Sequence, residues 1–458
     1  MDRMLRKKRH SGRKGWTWGI LLLILLSFFL GACGTGQEAE AGRGAPPEGP
    51  IRQASAAQAA EDGEVRPERE IVWKEAKTGS TLEGTFQGQR DLIEAYLSRY
   101  YGALETFEEP DFSDIFASDA GDWQSLHEEM MSYLIGLRSM QRTDLRLAGY
   151  RSELVLEEAP EEQAGPQQVT LTETSIQNFA EHPEVDSVLY GIRHTFVFAR
   201  ENGRWLIEEH TQWDGIFWNM VRELGDGGLE GLPDPAGYFA QRRESLLEEA
   251  RAESAFRRED AADGEKAFSS ETWEAGENGP SRNPELMPYD REAAAAYGAS
   301  WVGRRNEDWW DYSRQGGNCQ NFVSKCLHAG GIPMDTQGDA VWKWYGEAIN
   351  DLEEGRGCSA SWINVDYFYQ YARENEGYGL AARTDVSYWE GDVGDVILMG
   401  PAHDLNHSVL ISRVVRDKAG NTADYLIHSN TSDVKDFPVS AYPNPRQVLV
   451  RVLGWRRS

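Results

Sequence analysis

The chain has 458 residues, 75 acidic against 47 basic, and four cysteines. That length accommodates two or three domains at roughly 150 residues each, and a 40% apolar fraction excludes a wholly disordered chain. A formal charge of −28 excludes general electrostatic capture of nucleic acid or anionic lipid, and so few cysteines exclude a disulfide framework.

Residues 1–32 read as an export signal. Arg3, Arg6, Lys7, Lys8, Arg9, Arg13 and Lys14 precede an apolar run from Trp16 to Leu30. The run is shorter than the ~20 residues that a membrane-spanning helix needs. It ends Leu30-Gly31-Ala32-Cys33, which resembles a bacterial lipoprotein signal. The resemblance implies a diacylglyceryl group on Cys33, a mature chain that begins there, and a lipid anchor on the outer face of the cell membrane. Residues 1–32 hold seven basic residues and one acidic one, so the remainder carries −34. Residues 33–70, rich in Gly, Ala, Pro, Glu and Gln, bury too little apolar surface to offset ordering entropy and are expected to be a disordered tether.

Residues 71–224 are expected to form an accessory α+β domain. Leu92, Ile93, Tyr96, Leu97, Tyr100 and Leu104 recur at helical spacing within Arg90–Leu104, and Trp123–Gly136 is a second predicted helix. Predicted strands follow at Leu145–Leu156, Gln167–Ile176, Val185–Arg200 and Arg204–Gln212, the last two joined by an Asn202-Gly203 hairpin turn. Helices followed by an antiparallel sheet resemble the cone-shaped nuclear-transport-factor-like folds. His182, His194 and His210 do not have a metal-ligand spacing and read as structural.

Residues 225–286 are predicted as a helix and an acidic linker. The helix covers Tyr238–Asp260, with an apolar stripe of Phe239, Leu246, Leu247, Ala250 and Phe256; the linker covers Asp260–Pro284.

Residues 287–458 carry the chemistry. Asp290 caps a predicted helix over Arg291–Val302. Gly316-Gly317-Asn318 then leads into Cys319-Gln320-Asn321-Phe322-Val323-Ser324-Lys325-Cys326-Leu327, and Gly330-Gly331 stops that helix. Asn318 is the predicted cap. Cys319 sits in the first turn, where unpaired backbone N–H groups and the positive end of the helix dipole favour a thiolate. The same groups, around Cys319 and Gln320, suit the oxyanion formed on attack at an amide carbonyl. Cys326, ~10.5 Å of helix rise further on, is too far from Cys319 for a disulfide and reads as core. A Cys326–Cys358 bridge is left open by the sequence.

A nucleophilic Cys needs a base. Gly391–Met399 predicts a turn and a buried strand, His407 opens the next strand, and Tyr425–His428 is a third, ending in Ser429-Asn430-Thr431. His428 or Asn430 is the expected partner that fixes the His407 tautomer. A helix-borne Cys followed by strands bearing a His and a polar residue is a papain-like arrangement. A zinc site from His403, His407 and Cys319 lacks a fourth ligand, so no metal or other cofactor is expected. His328 reads as a helix C-terminal cap, and Trp309, Trp310, Trp342, Trp344 and Trp362 as core or groove walls.

From about Tyr289 to Trp455 the sequence resembles the "Putative amidase domain" family of Gram-positive bacteria. The matching pieces are YDREAAAAYGASWVGRRN, GGNCQNFVSKCLHAGG, GDVILM, NHSVLIS and YLIHSNTSD. More distantly it is similar to NlpC-type and CHAP-type cell-wall peptidases. By motif position the resemblance implies Cys319, His407 and His428 as catalytic residues; it departs from the family at Asn318, where Asp is usual. The expected fold is therefore α+β, a papain-like cysteine amidohydrolase domain beside the accessory domain. The expected substrate is a peptide or peptidoglycan-like amide, with transfer to an amine as a variant of the reaction. A non-catalytic binding or scaffolding lipoprotein is the alternative. Nothing in the sequence sets the oligomeric state.

Overall fold

The computed structural model describes residues 68–74, 86–158, 165–225, 227–267, 286–337, 341–351, 353, 355–401 and 404–457. The predicted export signal, Cys33 and the predicted tether up to residue 67 lie outside them, as do His403 and most of the predicted acidic linker. Pro67–Ser458 forms one compact unit. It is a mixed α+β structure built on a large sheet.

The first half packs two helices on a sheet. Strand β1 (Arg69–Lys74) runs parallel to β2 (Leu147–Glu158). Between them lie α1 (Gln87–Thr106) and α2 (Gly121–Ser139). The predicted stripe of α1 is buried at Ile93, Tyr96, Leu97, Tyr100 and Leu104. Strands β3 (Gln167–Phe179), β4 (Ser187–Glu201) and β5 (Arg204–Trp213) follow as antiparallel neighbours. Asn202 (φ 50°) and Gly203 (φ 84°) both take the positive φ that a tight two-residue hairpin turn demands.

A short α3 (Gly215–Val221) precedes the long α4 (Pro235–Ala267). Phe239, Leu246, Leu247 and Ala250 are buried, but Phe256 is 67% exposed, so the predicted stripe ends one turn early. The helix also runs into the predicted linker as far as Ala267; its Ala- and Glu-containing sequence there is compatible with helix even without an apolar face.

The second half begins with β6 (Leu286–Met287) and α5 (Arg291–Trp301), whose Asp290 cap accepts a hydrogen bond from the Ala293 N–H at 2.9 Å. The helix α6 (Cys319–Ala329) buries Phe322, Val323, Cys326 and Leu327. After α7 (Ala360–Ile363) and α8 (Val365–Glu374) come β7 (Gly379–Arg383), β8 (Val396–Gly400), β9 (His407–Arg416), β10 (Thr422–Ser429), β11 (Val434–Pro438) and β12 (Arg446–Arg456).

The sheet order is β1-β2-β3-β4-β11-β10-β9-β8-β12-β6, with β5 on β4 and β7 on β12. The halves join where β11 pairs with β4, through Val434↔Leu189 and Lys435↔Val188. β5 and β11 thus share one edge of β4, β5 along Arg193–Glu201 and β11 at its start. The core beneath α6 gathers Phe322, Cys326 and Leu327 with Val396, Leu398, Leu410, Val450 and Val452 of the sheet.

Candidate active site

Helix α6 and the ends of β9 and β10 converge on Cys319. Asn318 holds the cap position but makes no side-chain cap bond. Its amide is used as a tie. Oδ1 accepts from the Tyr312 N–H (3.1 Å) and from Asn321 Nδ2 (2.7 Å), and Nδ2 donates to Asn430 Oδ1 (2.7 Å). The Asn318 N–H donates to Thr431 Oγ1 at 2.7 Å. Asn321 in turn accepts from Trp362 Nε1 (3.0 Å), so the wall of Trp362, Trp342 and Trp309 braces the helix start.

Thr431 pays for its position with backbone strain: φ is 86°, an unusual value for a β-branched residue. The strained turn brings its hydroxyl onto the residue before Cys319.

The thiol is buried. Burial pushes its pKa above the ordinary thiol value, against the backbone N–H and hydroxyl of Ser408 and the N–H groups of Gln320 and Cys319. The helix-terminal donors that the sequence predicts are therefore present, but desolvation of the thiolate outweighs them. The Ser408 hydroxyl makes no hydrogen bond among the described residues, although it lies close enough to favour the thiolate. Gln320 is buried with its side chain turned along the helix to Ser324 (3.2 Å), so its contribution to an oxyanion site is its backbone N–H.

His407 opens β9, as expected, and its ring stacks on Tyr442 at 5.3 Å between centroids. Its Nε2 lies 2.9 Å from Ser429 Oγ and 2.9 Å from Tyr442 Oη. The Ser429 hydroxyl also points to the Thr431 carbonyl (3.4 Å). With its proton directed there, Ser429 accepts from an Nε2–H, and Nδ1 keeps the free lone pair. Burial lowers the His407 pKa to about 4, and no carboxylate offsets it. Thiol and imidazole thus rest as a neutral pair. They make no direct hydrogen bond; the residue on the thiol is Ser408, next in sequence, whose strand neighbour Leu398 faces α6. Tyr442 lies close enough to feel a charge on Cys319.

His428 stands elsewhere. Its Nδ1 accepts from the Asp436 N–H (3.3 Å), and its ring packs on Gly298 of α5, where a Cβ would approach within 3.1 Å. Strand alternation is the reason: adjacent residues on β10 face opposite sides, and Ser429 takes the side of His407. Asn430 meets Asn318, not His407. The structure thus brings Ser429 and Tyr442 to the imidazole. The sequence held one signal for Ser429, its place beside His428 at a strand end. It held none for Tyr442, 35 residues from His407.

Cys319, Cys326 and Cys358 are free thiols, and Cys358 lies 3.2 Å from Tyr312 Oη. His328 Nδ1 lies 2.9 Å from the Ile332 carbonyl, past the end of the helix, and not on one of the helix's own carbonyls. Among the described residues no group of His, Cys, Asp and Glu is arranged to hold a metal ion.

Residues 288–452 match the model of the family described as "Putative amidase domain", so this part of the chain is similar to amidase domains of that family. The chain is 32% identical over 147 residues to the "Uncharacterized protein YhbB" of Bacillus subtilis (strain 168), which covers 32% of this chain and 42% of that protein. The chain therefore spans less than half the length of this relative. A solved structure of a point variant of Rv3472, a protein of unknown function from Mycobacterium tuberculosis, aligns over 36% of this chain and 96% of that one. Its 12% identity and TM-score of 0.20 are too low to carry an argument.

Proposed function

We propose that this protein is an exported, lipid-anchored cysteine amidohydrolase whose C-terminal half works as a papain-like enzyme. The observation that carries the reading is the thiol of Cys319 at the start of α6, met by backbone N–H groups of its own helix turn and by Ser408. The amidase family match supports amide chemistry.

In the proposed reaction the Cys319 sulfur attacks the amide carbonyl carbon while His407 Nδ1 takes the thiol proton. Ser429 and Tyr442 hold the ring through Nε2. The N–H groups of Cys319 and Gln320 receive the oxyanion. His407 then passes the proton to the leaving nitrogen, the C–N bond breaks, and a thioester remains. Water, deprotonated by His407, releases the acid and regenerates the thiol. Because the resting pair is neutral, proton transfer accompanies attack. The reaction requires the imidazole to come onto the thiol, with which it makes no hydrogen bond in the substrate-free chain.

Stem peptides of the cell wall are the proposed substrate, with Cys33 as the lipid site that places the enzyme beside them. The test incubates the full chain with peptidoglycan and a peptide library and identifies products by mass spectrometry. Products lost in Cys319→Ala support the reading; products unchanged in that variant overturn it.

A second reading, a non-catalytic binding lipoprotein, is favoured by one observation: thiol and imidazole make no hydrogen bond with each other. Binding of wall fragments with no Cys319-dependent product would establish it.

A further inference from the structure

A cleft far from Cys319 joins the two halves of the molecule. It is lined by Gln141 and Arg142 after α2, by Ser254, Arg257 and Arg258 of α4, and by Tyr388, Trp389, Asp424 and others from the amidase-like half. Asp424 and Ser429 lie on the same strand, β10, five residues or roughly 17 Å apart. The cleft is therefore at the opposite end of β10 from the imidazole.

Three guanidinium groups converge here, and among the described residues none has a carboxylate within ion-pair distance. Arg142 stacks over Trp389 at 4.5 Å and Arg257 over Tyr388 at 5.3 Å. Arg257 Nη1 donates to the Pro445 carbonyl (2.7 Å), and Arg258 Nη2 to the Met140 carbonyl (2.7 Å). Trp389 Nε1 locks the assembly by donating to the Arg257 carbonyl (2.7 Å). Carbonyls and ring faces orient these cations, Asp417 feels Arg142 without pairing with it, and each guanidinium keeps further N–H donors. Arg257 is 6% exposed, so its charge is largely desolvated. A buried charge without a counter-charge is costly.

A second observation points to an occupant. Ser254 Oγ is buried in the cleft wall with no partner among the described residues. The one carboxylate of the wall, Asp424, does not serve the arginines. Its oxygens accept from Ser440, Thr143 (3.3 Å) and the Tyr425 N–H (2.8 Å), and burial pushes its pKa up to about 6. Glu253, next to Ser254, feels Arg257 but makes no ion pair with it.

We propose that this cleft is an oxyanion-binding site for a carboxylate or phosphate group of a small molecule, read by the forks of Arg142, Arg257 and Arg258 and by the Ser254 hydroxyl. The enclosed volume of about 20 Å³ is little more than one water's room, so only the oxygens of a head group enter and the rest of the ligand remains outside. An occupant ties α4 to the segment after α2, because its partners come from both. The inference does not depend on amide hydrolysis.

The experiment is calorimetric titration of the full chain in detergent with inorganic phosphate and with acetate, ionic strength held constant with chloride. Saturable binding of either anion, with a dissociation constant on the order of 1 mM and a rise in melting temperature of about 2–4 °C at saturation, is the expected result. Acetate alone would identify a carboxylate site and phosphate alone a phosphate site. Arg142→Gln with Arg258→Gln, both exposed positions, is expected to weaken binding at least tenfold. Should that double variant not fold, Arg142→Lys, which keeps the charge but loses the fork, is expected to weaken binding about threefold. No saturable binding of either anion, or equal binding in the variant chain, would overturn the proposal.

Discussion

Asn318 and Asn430 meet side chain to side chain at 2.7 Å, and both are buried. One precedes the thiol, and the other follows the serine that holds the imidazole. Ser429, Asn430 and Thr431 therefore act as a single brace, gripping His407, the Asn318 amide and the Asn318 N–H in turn. The two halves of the candidate dyad are positioned by three consecutive residues.

Substitutions at this pair should couple. Asn318→Asp restores the residue usual in the family and should be tolerated, because Asn430 can turn its amide and donate. Asn430→Asp should also be tolerated, since Asn318 Nδ2 already donates there. Together they place two carboxylates in one buried contact, and the double variant should lose about 2–3 kcal/mol beyond the sum of the singles. A double-mutant cycle of chemical unfolding measures this; additive effects would show that the side chains do not meet.

The Cys319 thiol should alkylate slowly at neutral pH. Its pKa stands above the ordinary thiol value, so the iodoacetamide rate should keep rising through pH 9. Ser408→Ala removes a donor to the thiolate and should move the inflection higher still. An inflection below pH 7 would contradict the burial argument.

Ser429→Ala and Tyr442→Phe each leave His407 one hydroxyl on Nε2. Each is expected to lower kcat about tenfold with little change in KM, and the pair together about a hundredfold. His428→Gln, on the other side of β10, should leave the pH–rate profile unchanged. With His407 at about 4, the acid limb of that profile should fall near pH 4 and not near 6.5. A profile that moves with His428 and not with Ser429 would reverse the assignment.

Stability should fall between pH 6.5 and pH 4. His127, His407 and His428 have folded-state pKa values of about 4, and His210 lies well below the ordinary value, all through burial. Below pH 6.5 the unfolded chain takes up protons that these folded sites refuse, so each erodes stability, by up to roughly 3 kcal/mol at pH 4. Asp424 at about 6 and Glu209 at about 7 act oppositely, binding protons earlier when folded. Glu173 works with the histidines. Burial pushes it up, but His194 at 2.9 Å, Ser152 and Tyr101 outweigh that and hold it below the ordinary value, so its stabilisation is lost as pH falls through its folded pKa. The melting temperature should drop across this window, and a flat profile from pH 6.5 to 4.5 would count against buried neutral histidines.

Much of the local structure was legible in the sequence because it rests on short-range rules. The stripe of α1, the hairpin at Asn202-Gly203, the Asp290 cap, and the helix from Cys319 to the glycine pair each follow from spacing or a single residue's preference. Phe256 departs from its expected burial because an isolated apolar residue on a charged helix meets no partner unless the fold brings one. His194 and His210 were legible as structural residues. Their linkage, Nδ1 to Nε2 at 3.1 Å with Glu173 behind, required strands β3, β4 and β5 in register.

By itself the sequence determined the chemistry on offer: one cysteine at a helix start, one histidine at a strand start, and an acidic chain whose first 32 residues are basic and then apolar. Those depend on residue identity and neighbours in the chain. Only the tertiary structure decided which groups meet. Alternation along β10 gave His407 to Ser429 and turned His428 toward α5. The 35-residue return of the chain brought Tyr442 beside the imidazole, and burial reversed the expected charge state of the thiol. Contacts between distant segments and the cost of desolvation belong to the folded molecule, so no local pattern could have set them.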